Sequence, residues 1–336
     1  MVASPYRIFG SELSPYSVKV RSYFRYKGVP HEWIVRNASN VEEFRRHARL
    51  PLIPLVLSLD GEALQDSTPI LERIEAARPE PSIHPPDAVA AFVSALLEEY
   101  ADEWGNKAMF HYRWTYEPDQ ASGALRIARE NLAGADDAAV EQAARAVRER
   151  MVPRLSFVGS SAETRETIER SFEREVALLE AHLAARPYLF GARPAFADFG
   201  VFAQLYECLS DPTPGAWMRA RAPRVVAWVE RMLDPKGEGP FEPWQALEPT
   251  LQPLLREEVA GCFLPWSEAN RRALEAGAQT LEVEIHGRLF RQQPQKYHAR
   301  SLAALRTRYA AARSDALDVV LERAGCLAAL RERPTA

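Results

Sequence analysis

The chain has 336 residues with a formal net charge of −4, its basic and acidic residues mixed along its length. This length holds more than one buried core, the charge pattern offers no basic face for nucleic acid, and no apolar run reaches membrane-spanning length. Met1 to Arg7 lack the charged-then-apolar layout of a signal peptide, and Cys208, Cys262 and Cys326 lie too far apart for a metal or redox motif, so a cytoplasmic, metal-free protein is expected.

Tyr6 to Phe9 has the pattern of a buried strand. Ser14-Pro15-Tyr16-Ser17 follows and opens a helix through Val18, Val20, Tyr23 and Phe24 to Lys27. The Ser14 hydroxyl is suited to cap free N–H groups, and Pro15 sits where a missing N–H costs nothing. The same geometry directs the positive end of the helix dipole at whatever lies before Ser14, and a thiolate there would be stabilised. A plain helix cap is the simpler reading of the pair. Gly28-Val29-Pro30 ends the helix, and His31 to Val35 alternates as a second strand, making a βαβ unit with parallel strands. Val41 to His47 predicts a short helix and Leu55 to Leu59 a third strand. Asp60-Gly61 is a hairpin turn into Glu62 to Leu64, and Pro69 to Ala77 a closing helix.

Pro79, Pro81, Pro85 and Pro86 mark a linker over 79–87. Beyond it the spacing is helical: Phe92, Leu96, Tyr100 and Trp104 recur on one face through about His111, and Tyr116 to Gly134 is less regular. Ala138 to Met151, Thr164 to Ala185, Ala195 to Leu209 and Pro223 to Leu233 read as further helices. The proline-rich stretch 234–253 interrupts them. Leu254 to Ala278 then reads as helix, Leu281 to Ile285 as a strand or helix end, and one amphipathic helix carries Leu302, Leu305, Tyr309, Leu317 and Val320. The expected domains are 1–78, 88–234 and an extension, 235–336, packed on the helical domain.

Four pieces in order resemble the cytosolic glutathione transferases: Ser14-Pro15-Tyr16-Ser17 with Lys19-Val20-Arg21, Leu52-Ile53-Pro54-Leu55, Leu64-Gln65-Asp66-Ser67, and Arg186-Pro187-Tyr188-Leu189-Phe190-Gly191 with Pro194 to Phe199. The resemblance covers residues 1 to about 234. It implies an α/β thioredoxin-like N-terminal domain of order βαβ-α-ββα, an all-α helical domain with a mostly helical C-terminal extension, and a homodimer. It also implies glutathione as co-substrate. Ser14 would hydrogen-bond its sulfur and favour the thiolate, with Ser17 one turn on as the alternative. Ile53 before a cis Pro54 would present its backbone to the cysteinyl part, although trans is the default for a single X-Pro bond. Asp66 would take the ammonium and Ser67 the carboxylate of the γ-glutamyl end, with Arg49 near the glycyl carboxylate. Asp66-Ser67-Thr68-Pro69 is equally a good helix start without any ligand.

A small hydrophobic electrophile would sit against Tyr16, Trp104, His111 and Trp114, although such a stripe is as often core. The expected reaction is attack by the thiolate on this electrophile, a detoxification chemistry, with isomerase, dehalogenase or ether-cleaving variants compatible. Two other readings compete: a non-catalytic binding or assembly module, supported by the long extension, and a glutathione-dependent disulfide reductase. The site matches the Cys-Pro-Tyr-Cys of glutaredoxins with both cysteines replaced by serine, and serine forms no mixed disulfide. In the helical domain Ala195 stands where the family has Ser or Thr, leaving Asp198 alone to serve that cap.

Overall fold

The computed structural model describes residues 6–332; residues 1–5 of the N-terminal stretch considered above lie outside it. The first domain runs β1 (Tyr6–Gly10), α1 (Pro15–Tyr26), β2 (His31–Val35), α2 (Val41–His47), β3 (Leu55–Leu57), β4 (Ala63–Gln65) and α3 (Ser67–Ala77). Its sheet has the order β2-β1-β3-β4, with β1 parallel to β2 and antiparallel to β3, and β3 antiparallel to β4. A crossover through α1 makes the first pair parallel, and the Asp60-Gly61 turn makes the last antiparallel. Ile8, Val18, Val20, Tyr23, Phe24, Val56, Ile70 and Leu71 fill the space between sheet and helices.

The second domain is helical. α4 (Ala88–Tyr100) continues through a π-helical segment, Ala101–Gly105, into α5 (Asn106–Thr115). Then come α6 (Glu117–Asn131), α7 (Asp137–Met151), α8 (Arg165–His182), α9 (Phe196–Ser210), α10 (Pro212–Arg221) and α11 (Pro223–Arg231). The regular helix over α6 corrects the irregular stretch expected there; Gly123 is tolerated because the Arg113 side chain packs against it where a Cβ would stand. α9 is the central helix, buried on nearly every face between α1 and α4, with Phe199 edge-on to Tyr23 at 5.5 Å. Asp198 carries out the capping expected of it. Its Oδ2 accepts from the Ala195 N–H at 2.9 Å, and its Oδ1 accepts from Leu189 N–H and Trp228 Nε1 at 2.9 and 3.0 Å.

The extension folds as α12 (Trp244–Leu254), a π-helical segment (Leu255–Phe263), α13 (Leu264–Glu275), β5 (Leu281–Ile285), β6 (Arg288–Gln292), α14 (His298–Ala312), α15 (Asp315–Ala324) and α16 (Leu327–Arg331). Two sequence expectations change here. Pro249 and Pro253 lie inside α12 rather than breaking it. Burial of Trp244, Leu247, Leu251 and Leu254 outweighs the proline cost of about 3 kcal/mol in a helix interior. The single final helix is divided, because Ser314 caps a new one by accepting the Leu317 N–H at 3.3 Å. The alternating segment is a strand, paired with β6 around His286-Gly287. The extension packs on the helical domain through α12 against α8 and α14 against α4. It also touches the first domain, where Arg308 pairs with Glu72 and the Tyr297 hydroxyl donates to Asp66.

Candidate functional site

Strand register gathers the site. Phe9 lies opposite Leu55, and Leu55 opposite Gln65. The loop after β1, Pro54 before β3 and Asp66 after β4 therefore share one end of the sheet. Ser14, half-buried at the N-cap of α1, accepts the Ser17 N–H at 3.3 Å, so its own hydroxyl proton is not used by the cap. The loop before it is clamped from the helical domain. Glu130 on α6 accepts from the Ser11 hydroxyl and from Glu12 N–H at 2.8 Å, and Arg113 on α5 donates to Leu13 O at 3.1 Å. Arg113 is itself buried and fixed by Glu207 at 2.6 Å and Asp211 at 2.8 Å. Ser17 is wholly buried, and its Oγ has no hydrogen-bond partner among the described residues. Its side chain is inside the domain, whereas Ser14 is half-buried.

The Ile53–Pro54 bond is cis. Gln65 holds the loop before it: Nε2 donates to Leu50 O and Leu52 O at 2.9 Å each, and Oε1 accepts from Arg49 N–H at 2.7 Å and Leu50 N–H at 3.0 Å. Arg49 is exposed and tied to this clamp by its backbone. Asp66 takes φ of 77°, a left-handed conformation uncommon outside glycine and concentrated at functional sites. Its carboxylate is exposed while Ser67, at the start of α3, is buried.

Ser67 turns its hydroxyl inward, 3.3 Å from Lys19 Nζ and 3.4 Å from Asp102 Oδ2. The hydroxyl is thus engaged within the protein, while the N-terminus of α3 faces the same end of the sheet as Asp66. Lys19 is fully buried. Its ammonium donates to Glu98, to Asp102 at 2.6 Å and to Thr68 Oγ1 at 3.1 Å. Burial works against that charge, but Asp102 and Glu98 outweigh it and hold the Lys19 pKa above its ordinary value. Burial pushes the Asp102 carboxyl up to about 7 even beside Lys19. Asp102 belongs to the π-helical segment and receives the Tyr16 hydroxyl on its backbone oxygen at 2.9 Å. Burial, then Asp102, Glu103, Asp66 and Tyr297, raise the Tyr16 pKa. Lys19, Thr68 and Asp102 were not singled out from the sequence. The available signal was a lysine one turn beyond Pro15 on the face that buries Tyr23.

The family model for the glutathione S-transferase N-terminal domain matches residues 8–82, and that for the glutathione S-transferase C-terminal domain matches residues 137–231. The chain belongs to the glutathione S-transferase superfamily. Among solved structures, the β-etherase LigF from Sphingobium sp. strain SYK-6 is 21% identical, with 68% of this chain aligned to 95% of that one at a TM-score of 0.50. A glutathione S-transferase from Methylobacterium radiotolerans, in complex with glutathione sulfonate, is 22% identical over 68% of this chain and 90% of that one, at a TM-score of 0.42. No curated protein sequence matches the chain. Both superfamily models end before residue 235, so the extension lies outside them.

Within this superfamily fold, three residues expected to face an electrophile are core. Trp104 is 2% exposed, donates its indole N–H to Ser171 at 2.8 Å and packs against Trp266 and Phe290 of the extension. His111 is fully buried, its ring nitrogens 2.7 Å from Ser160 Oγ and 3.0 Å from Glu169 Oε1. Trp114 fills a small cluster with Ala124 and Val147. α6, α7, α8 and the extension cover the helical stripe that would otherwise face a cleft. Tyr16 alone of the four stays at the seam between the domains. The three cysteines are free and buried, and burial raises each thiol pKa, which leaves no accessible thiolate for disulfide exchange. No helix among the described residues is long and apolar enough to cross a membrane.

Proposed function

We propose that this superfamily member is a glutathione-dependent transferase in which Ser14 favours the thiolate of glutathione for attack on a small hydrophobic electrophile. The observation that carries the reading is the capped start of α1. Ser14 accepts a backbone N–H, which leaves its O–H to donate, at the positive end of a twelve-residue helix. The cis bond at Ile53–Pro54, on the same end of the sheet, supports a backbone contact to the cysteinyl unit. Asp66 and the N-terminus of α3 support an ammonium and a carboxylate at the γ-glutamyl end, and exposed Arg49 a glycyl carboxylate. The electrophile class, a homodimeric assembly and a cytoplasmic setting are carried over from the family resemblance.

The test is Ser14→Ala, assayed for the pKa of bound glutathione by thiolate absorbance and for kcat/KM with an aryl halide. A hydrogen bond to a charged group contributes about 1.5–3 kcal/mol, so the bound thiol pKa should rise by about 1–2 units. Turnover at neutral pH should fall in proportion while glutathione affinity is largely kept. An unchanged thiol pKa would remove Ser14 from the chemistry.

A further inference from the structure

We infer that the C-terminal extension completes the glutathione site, with Tyr297 as a positioning residue that sets Asp66 for the ammonium of the γ-glutamyl end. The inference rests on the function proposed above.

The Tyr297 hydroxyl donates to Asp66 Oδ2 across 231 residues of sequence. Asp66 Oδ1 is left to receive a cation. Asp66 is otherwise an exposed side chain on a strained backbone, and an exposed carboxylate samples several rotamers unless something holds it. Tyr297 is held in place by its neighbours. Two residues before it, Gln295 exchanges backbone bonds with buried Asn270, N–H to Oδ1 at 2.6 Å and Nδ2 to O at 2.9 Å. Immediately after it, buried His298 is wedged between Glu103 Oε2 at 2.8 Å and Ser267 Oγ at 2.9 Å, its ring 4.1 Å from that of Trp266. Tyr297 itself remains half exposed between these anchors and reaches the other domain with its hydroxyl.

Asp102, whose Oδ2 meets Lys19, Ser67 and Thr68, keeps its buried Oδ1 without a hydrogen-bond donor among the described residues. Glu103, paired with His298, lies on the π-helical segment that also carries Asp102. A primary ammonium can give one of its three N–H donors to Asp66, and Tyr297 fixes the orientation of that carboxylate.

The test compares glutathione with its analogue lacking the α-amino group, in the full-length wild-type chain, Tyr297→Phe and Glu72→Gln. Dissociation constants come from calorimetry, kcat and KM from conjugation to an aryl halide. In Tyr297→Phe the KM and Kd for glutathione should rise about threefold to tenfold, the loss of one hydrogen bond. The kcat should stay within about twofold and the constants for the des-amino analogue should not move. Glu72→Gln removes another contact of the same helix, with Arg308, and should leave every constant at the wild-type value. The inference is overturned if Tyr297→Phe binds glutathione as wild type does, weakens both thiols equally, or is matched by Glu72→Gln. A wild-type chain that binds neither thiol would overturn the underlying reading of the site as well.

Discussion

Lys19→Met probes the junction on which the site is built. The lysine side chain is 0% exposed, and its ammonium faces Glu98, 0% exposed, and Asp102, 11% exposed. Methionine matches its length but leaves both carboxylates buried without a counter-charge. Breaking a buried pair in this way costs about 3–5 kcal/mol. Proton uptake limits that cost, since burial already places Asp102 at about 7 in the intact protein. A carboxyl whose folded pKa lies above its unfolded value favours the folded state when protonated, so its contribution is lost as pH rises through the folded pKa. The deficit of Lys19→Met should therefore be largest near pH 8 and shrink towards pH 5. Urea denaturation followed by tryptophan fluorescence measures it at both values. The triple variant Lys19→Met, Glu98→Gln, Asp102→Asn removes the stranded charges and should recover most of the loss. A deficit below about 1 kcal/mol at pH 8, or one independent of pH, would refute the reasoning.

Two further expectations concern stability. Gly10→Ala would drive a Cβ into Trp33 Cη2, 2.8 Å from Trp33 Cζ3 and 2.9 Å from the Ser17 Cβ. Overpacking of this kind costs about 1–3 kcal/mol, to be read as a lowered urea midpoint; a midpoint equal to wild type would contradict the packing described. Glu258, buried against Arg174, has its carboxyl raised to about 7 by burial. Its contribution to stability is lost as pH climbs from its ordinary carboxyl value through about 7. Glu258→Gln should accordingly flatten the fall in thermal midpoint between pH 5 and pH 8, and an unchanged slope would count against it.

The sequence revealed the corner of the site more fully than its walls, for physical reasons. Ser14-Pro15, Ile53-Pro54 and Asp66-Ser67 act through local backbone geometry, and a few adjacent residues suffice to specify a cap or a turn. Trp104, His111 and Trp114 recur at the helical spacing a cleft wall would have. Whether such a stripe meets solvent or another helix depends on α6, α7 and α13, which no local pattern connects to it. The prolines of α12 concealed a helix because their cost is local while the compensating burial is tertiary. Lys19 appeared only as a neighbour of the helix cap, since its partners Glu98 and Asp102 lie some eighty residues away. Tyr297 carries no motif; its relation to Asp66 exists only in three dimensions.

The position of Tyr297 in the chain sets an order of events at the ribosome. Domains fold as units from the N-terminus during synthesis, so the sheet and its helical companion emerge and pack before this tyrosine leaves the exit tunnel. Until then Asp66 stands without its hydroxyl partner. A message cut short after the β5–β6 hairpin would yield a chain with both superfamily domains in which Asp66 never meets the Tyr297 hydroxyl.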